Sequence, residues 1–156
     1  MGLDMYLYAK KYVANNDYYK KNPEIFDEVL QSLELTPDEL DSEMFSMTIS
    51  IPVMYWRKQN AIHNWFVLNA QDGNDNCGEY YVSREQLKEL KDICEQVKKD
   101  PRMSSELLPT TDGFFFGGTD YDEWYLNGID RTVIALDRYL KSPSFKDFDF
   151  YYESSW

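Results

Sequence analysis

The stretch FSMTISIPVMYWRKQNAIHNWFVLNA, residues 45–70, passes from a strand pattern directly into a helix pattern. Residues 45–54 are rich in β-branched side chains, and Pro52 places such a strand at a sheet edge or a bulge. From about residue 57 to residue 70, apolar side chains recur at helical spacing. This stretch therefore predicts that strand and helix share one core.

The flanking segments repeat both patterns. Alternating or aromatic runs predict further strands over 3–9, 79–82, 114–116 and 145–152. Helical spacing predicts helices over 23–33, 83–99 and 121–141, with a loop over the polar residues 10–22. Strands and helices follow one another in mixed order, so we predict an α+β fold. Its sheet is small and mixed or antiparallel, with about three main helices packed on it.

The length of 156 residues predicts one domain over 1–156. Within it, the range 14–44 is interpreted as a peripheral acidic insertion. Residues 23–44 contain eight aspartates and glutamates and neither lysine nor arginine. This acidic range is a candidate docking surface for a basic partner.

The chain carries 28 acidic and 16 basic residues, a net charge of −12. Phosphate attraction needs a basic footprint, so we predict no direct DNA binding. No apolar run approaches the roughly 18 residues of a membrane span, and no membrane association is predicted. The two cysteines, Cys77 and Cys94, suit free thiols in a reducing compartment. These features together predict a cytoplasmic protein.

The most site-like stretch begins at Tyr55 and runs into the predicted helix. Arg57 and Lys58 would lie in its first turn, where the helix dipole disfavours cations unless they face an anion. Trp56 could stack on a ring, while Asn60 and His63, three residues apart, could supply hydrogen bonds to its edge. The predicted ligand-binding residues are Tyr55, Trp56, Arg57, Lys58, Asn60, His63, Trp65 and Trp124.

A structural explanation of the same stretch stays open. Arg57 and Lys58 could pair with the abundant carboxylates, and His63 could be a hydrogen-bonded residue at the margin of the core. The sequence alone does not separate these two interpretations.

Signals for catalysis or metal binding are weak. The loop 72–79, DGNDNCGE, is similar to a calcium loop but has Cys77 where glycine belongs and Ser83 where glutamate belongs. The acids of TDYDEW, 119–124, complement a helix dipole, and the glycines of DGFFFGGT, 112–119, allow close backbone approach to a ligand. With one histidine and no nucleophile motif, we predict no catalytic residue, no metal and no cofactor.

Five segments resemble one family of small proteins that is common in bacteriophage and prophage genomes. They are MGLDMYLYAKKY, YWRKQNAIHNWFV, CGEYYVSREQLKEL, LLPTTDGFFFGGTDYDEWY and FDFYYESSW. The resemblance covers most of the chain except residues 14–44. It implies a phage-derived protein made in the cytoplasm of a bacterial host, and it transfers no activity.

The favoured hypothesis is a phage-encoded binding protein for an anionic, nucleotide-like ligand that sequesters a host defence signal. The alternative is an acidic inhibitor that binds a host defence protein or mimics nucleic acid. An enzyme acting on a nucleotide would need Asp120 or Glu123 close to His63. Aromatic strand edges at Phe114–Phe116 and Phe148–Tyr152 suggest a homodimer.

Overall fold

A computed structural model describes residues 2–15, 20–40 and 46–156 of the chain. These ranges contain five β-strands and five α-helices. The strands of these ranges are β1 (Asp4–Asn15), β2 (Lys20–Lys21), β3 (Ser46–Arg57), β4 (Tyr80–Val82) and β5 (Asp149–Ser155). The α-helices are α1 (Pro23–Ser32), α2 (Asn60–Asn69), α3 (Arg84–Lys99), α4 (Ser104–Leu107) and α5 (Glu123–Lys141). The described part of the chain thus has five α-helices rather than about three.

The strands form one sheet in the order β2-β1-β5-β4, and β3 also pairs with β1. β4 and β5 run antiparallel, with Tyr80 opposite Tyr152 and Val82 opposite Phe150. The predicted α+β class is confirmed. β5 has a hydrogen-bonded neighbour on each side, so residues 150–152 are not an open sheet edge, one of the two features from which a homodimer was predicted.

The chain divides into two compact units, one of Met1–Ala9 with Pro52–Trp156 and the other of Lys10–Ile51. The second unit contains the range 14–44 that the sequence marks as an insertion. Its small apolar cluster consists of the buried side chains Val13, Phe26 and Leu30, with Ile25, Leu40, Met47 and Ile49 packed against them. Among the described helices of both units, none is long and apolar enough to cross a bilayer.

The core of the larger unit is aromatic where the sheet meets α2. The rings of Phe66 and Tyr152 stack with centroids 4.0 Å apart and an angle of 11° between their planes. Phe150 and Val82 lie beside them, fully buried. Burying one such apolar side chain contributes about 1.5–3 kcal/mol to folding. These aromatic side chains therefore stabilise the core of the larger unit.

The long helices α3 and α5 pack against each other. Ser83 and Gln86 form a capping box at the start of α3: Gln86 N donates to Ser83 Oγ at 3.1 Å, and Ser83 N donates to Gln86 Oε1 at 2.8 Å. Cys94 on the inner face of α3 is completely buried. This burial raises the pKa of its thiol to about 12.

Two predicted elements were wrong. Residues 10–15, expected in a loop, continue β1, because Val13 and Ala14 are buried there and Ala14 pairs with Lys21. Phe114–Phe116, expected as a strand, forms a turn closed by Phe116 N donating to Gly113 O at 3.1 Å. The left-handed φ of +91° at Gly117 then redirects the chain. Aromatic composition alone did not reveal this turn.

Candidate functional site

Three segments meet where β3 ends and α2 begins. Lys58 N donates to Leu3 O at 2.8 Å, and Leu3 N donates to Phe115 O at 3.0 Å. Lys58 has a φ of +54°, an uncommon conformation for a residue with a side chain. This conformation turns the chain out of the strand, so the helix starts at Asn60 rather than near residue 57.

Two glycines make room for the side chain of Lys58. A Cβ atom at Gly117 would lie 3.0 Å from Lys58 Cβ, and one at Gly2 would lie 3.0 Å from Lys58 Cε. Both distances are tighter than ordinary van der Waals contacts. Lys58 itself is exposed, and its ammonium group forms no ion pair with any residue of the described ranges. The site therefore holds a positioned cation without a carboxylate partner in those ranges.

Asn60 ties the loop after α4 to the start of α2. Its Nδ2 donates to Gly118 O at 2.8 Å and to Phe116 O at 3.2 Å, and its Oδ1 accepts from Thr111 N at 3.1 Å. The side chain is 2% exposed. Its hydrogen-bonding groups are thus engaged in shaping the site, and the predicted direct contact to a ligand is replaced by a structural role.

These contacts border a cavity of about 290 Å³. Its lining includes Lys58, Asn60, Gly117, Asp120, Asp122 and Trp124. Trp124, in the first turn of α5, is 56% exposed, which leaves part of its ring available for stacking. One cation, two carboxylates and an open indole ring thus share the cavity.

Gln59 fixes the position of α2 against α5. Its buried amide Nε2 donates to Trp124 O at 3.0 Å. A Cβ atom at Gly128 would lie 2.0 Å from Gln59 Oε1, so only glycine leaves space for this amide. The cavity wall at Trp124 is therefore held by the residue that precedes α2.

Trp56 lies in the core and cannot stack on a ligand. It is fully buried, and its Nε1 donates to Thr132 Oγ1 on α5 at 2.7 Å. Trp65 is likewise buried, and its ring packs edge-to-face on that of Phe66, with the ring centroids 5.3 Å apart. The predicted ligand roles of both tryptophans are therefore corrected to roles in packing.

Tyr55 and Arg57 lie on the strand face opposite to Trp56, because successive side chains of a strand alternate. Tyr55 Oη donates to Asp4 Oδ1, and Arg57 Nε lies 3.9 Å from the same oxygen. The hydrogen bond to Asp4 raises the pKa of Tyr55. Neither residue lines the cavity. Arg57 ends β3 and Lys58 precedes the N-cap of α2, so the two cations do not lie in a first helical turn as predicted.

His63 forms a buried hydrogen-bonded chain with Tyr152 and Asp75. Its Nδ1 lies 2.7 Å from Tyr152 Oη, and its Nε2 lies 3.0 Å from Asp75 Oδ2. Burial holds the pKa of Tyr152 well above its usual value, so the phenol keeps its proton. The Asp75 carboxylate only accepts, so Nε2 of the neutral ring carries the hydrogen and Nδ1 accepts from the phenol. The imidazole then donates from Nε2 to Asp75. Both ring nitrogens are occupied, and His63 is outside the cavity lining.

This chain predicts a pH dependence of stability. Burial lowers the pKa of His63 below its usual value of 6.5, although the bond to Asp75 opposes the shift. The unfolded chain therefore binds a proton more readily than the folded chain, and stability is lost as pH falls below about 6.5. We expect a loss of up to about 1.4 kcal/mol for each pH unit within this window.

Urea unfolding at pH 7.5 and 5.5 measures the effect. His63 is the only histidine, so the matched variant His63→Gln should remove most of the difference between the two pH values. Equal wild-type stability at both values would contradict the assignment.

Of the predicted site residues, the structure brings Lys58, Asn60 and Trp124 to one cavity. Gly117, Asp120 and Asp122 also line it, and their signals in the sequence were the glycine run and the acids before α5. Spacing could not show that residues 58 and 117 are neighbours. Within the described ranges, no group of three histidine, cysteine or acidic residues is arranged to hold a metal ion.

Comparisons of the chain with protein-family models, curated proteins and solved structures found no match.

Proposed function

We propose that the protein binds a small, anionic, nucleotide-like ligand in the cavity beside Lys58. The observation that carries the proposal is a lysine without an ion pair in the described ranges, in the same cavity as an exposed tryptophan ring. A lysine binds phosphate as a point charge, and an indole ring stacks on planar groups. Together they match a ligand with one anionic group and one ring.

The start of α2 adds to this match. Its N-cap residue, Gln59, provides no side-chain cap, and no other side chain of the described ranges accepts from the amides of the first turn. Such amides and the positive end of the helix dipole favour an anion. Lys58 lies two residues before this turn, so a cation and the start of a helix, both favourable for an anion, lie side by side in the chain.

The biological part of the proposal rests on the resemblance to phage and prophage proteins. A phage protein with such a cavity would sequester a nucleotide-like defence signal in the bacterial cytoplasm. The motif that carries much of the resemblance contains Lys58 and Asn60, which border the cavity.

The test compares two adjacent basic residues. Lys58→Gln removes the cavity cation, and we expect affinity to fall about 10- to 150-fold, the range for losing a charged hydrogen bond of 1.5–3 kcal/mol. Arg57→Gln is the matched control, because Arg57 lies outside the cavity lining and should change affinity little.

Calorimetry with nucleoside monophosphates and cyclic mononucleotides gives the affinities. Absence of binding to every member of this panel would refute the proposal. Equal losses in the two variants would show that general charge, and not the cavity, attracts the ligand.

A second candidate function is inhibition of a host protein through the acidic range 23–44, or mimicry of nucleic acid. The observation that favours it is the run of eight acids without a basic residue over 23–44. Leu33 and Leu35, within this run, are 61% and 37% exposed. Carboxylates around exposed apolar side chains suit a basic protein partner.

Salt-sensitive capture from host lysate tests this candidate. Glu24→Gln with Glu28→Gln on α1 should weaken capture, whereas Glu85→Gln with Glu89→Gln on α3 should leave it unchanged. The two pairs match in spacing and in placing one acid in the first turn of a helix. Equal losses of capture with both pairs would exclude a specific role for the acidic range 23–44.

A further inference from the structure

We infer that the cavity selects a ribonucleoside monophosphate over the corresponding triphosphate, with the donor groups of the ligand facing Asp120. This inference rests on the proposed function and names the class of ligand that the same cavity takes. The evidence is the uneven charge of the lining and the unequal bonding of its two aspartates.

The charge of the lining limits the number of phosphates. It contains one cation, Lys58, and two carboxylates, Asp120 and Asp122, so its formal charge is 1 − 2 = −1. The whole chain, including these residues, has a net charge of −12. One anionic group is matched by Lys58, but each further phosphate meets like charge without another cation in the lining. The cavity therefore disfavours triphosphates.

The two aspartates differ in what they still can accept. Asp122 caps α5, because its Oδ1 accepts from Tyr125 N at 3.0 Å. Asp120 forms no hydrogen bond or ion pair with any residue that the structure describes. An ionised carboxylate only accepts hydrogen bonds, so the exposed Asp120 is available to accept from the donor groups of a ligand. A ribose hydroxyl pair or an amino group on a base supplies such donors.

The wall that carries Asp120 is held in place. Thr110 Oγ1 donates to Thr119 O at 2.9 Å, which ties the residue before Asp120 to the other side of the loop. Tyr125 is buried below and donates from its phenol to Leu108 O at 2.9 Å. Burial raises the pKa of Tyr125 to about 12, so it adds no charge near neutral pH.

The size of the cavity agrees with a single mononucleotide. Its volume of about 290 Å³ is close to the lower end of the range for ligand pockets, about 300–1,000 Å³. Trp124 offers the stacking surface, Lys58 the cation and Asp120 the acceptor. A ribonucleoside monophosphate carries one group for each of them.

Calorimetry of the full chain tests the inference with adenosine 5′-monophosphate, its 2′-deoxy form and adenosine 5′-triphosphate. We expect the monophosphate to bind at least tenfold more tightly than the triphosphate. A tenfold loss with the 2′-deoxy form identifies the hydroxyl pair as the donor. A tenfold loss on exchanging cytidine for uridine monophosphate identifies a base amino group.

The variant Asp120→Asn separates charge from shape. It should weaken binding of the monophosphate at least fivefold and strengthen binding of the triphosphate, which reverses or abolishes the preference. Glu123→Gln is the control, because this neighbouring acid lies outside the lining and should change neither affinity.

The outcomes distinguish this inference from the function on which it rests. If nucleotides bind through Lys58 but the triphosphate binds more tightly, or Asp120→Asn has no effect, only the selectivity is refuted. If no nucleotide binds to the wild type, the proposed function fails and the inference fails with it.

Discussion

Replacing Trp56 with alanine should lower the free energy of unfolding by about 3–5 kcal/mol. Trp56 is fully buried, with its ring centroid 5.8 Å from that of Phe66. The variant leaves a large cavity between β3 and α5 and removes the donor to Thr132 Oγ1. Thr132 Oγ1 would still donate to Gly128 O, so only its acceptor function is lost.

Urea denaturation measures this loss, and Trp124→Ala is the matched control. Trp124 is 56% exposed, so its removal should change stability by no more than about 0.5 kcal/mol while weakening ligand binding. The two variants should thus show opposite patterns. A stable Trp56→Ala protein that has lost ligand binding would restore the stacking role that the sequence suggested.

Replacing Asn60 with alanine should cost about 2–4 kcal/mol, because three hydrogen bonds are lost and their partners are left in a partly buried loop. The variant also frees the turn that carries Gly117 and Gly118 from α2. Binding in the cavity should therefore fall together with stability. Asn60→Asp should be no better, because a carboxylate cannot donate to the carbonyls of Phe116 and Gly118.

Asn64→Ala on the same helix is the control. Asn64 is partly exposed and its side chain forms no hydrogen bond in the described part of the chain. Hydrogen exchange adds a local readout, since the Thr111 amide, which donates to Asn60 Oδ1, should lose protection in Asn60→Ala and keep it in Asn64→Ala. Unchanged protection at Thr111 would contradict the role given to Asn60.

Local patterns were enough to predict the fold class. The helical spacing of α3 and α5 is a property of short segments, and the structure confirms both helices. The extent of β1 was not predictable in the same way. Residues 10–15 are polar enough for a loop, but pairing with other strands keeps them extended. Such pairing is a tertiary effect that no single segment encodes.

The candidate site was predictable only in part. Lys58, Asn60 and Trp124, three of the residues predicted to bind a ligand, line one cavity, yet Trp56 and His63 gave the same signal and are buried. A polar side chain near aromatic residues looks alike in sequence whether it meets a ligand or a hydrogen-bond partner in the core. For Trp56 the deciding fact was that β3 continues to Arg57, because adjacent side chains of a strand lie on opposite faces.

The buried thiol of Cys94 makes it possible to measure how often the core of the larger unit opens. With no exposed surface and a pKa of about 12, it cannot react with a water-soluble disulfide reagent while α3 stays packed. Each reaction of Cys94 therefore records one opening event. In a Cys77→Ser background, which removes the half-buried second thiol, the labelling rate reports how often the native core exposes itself.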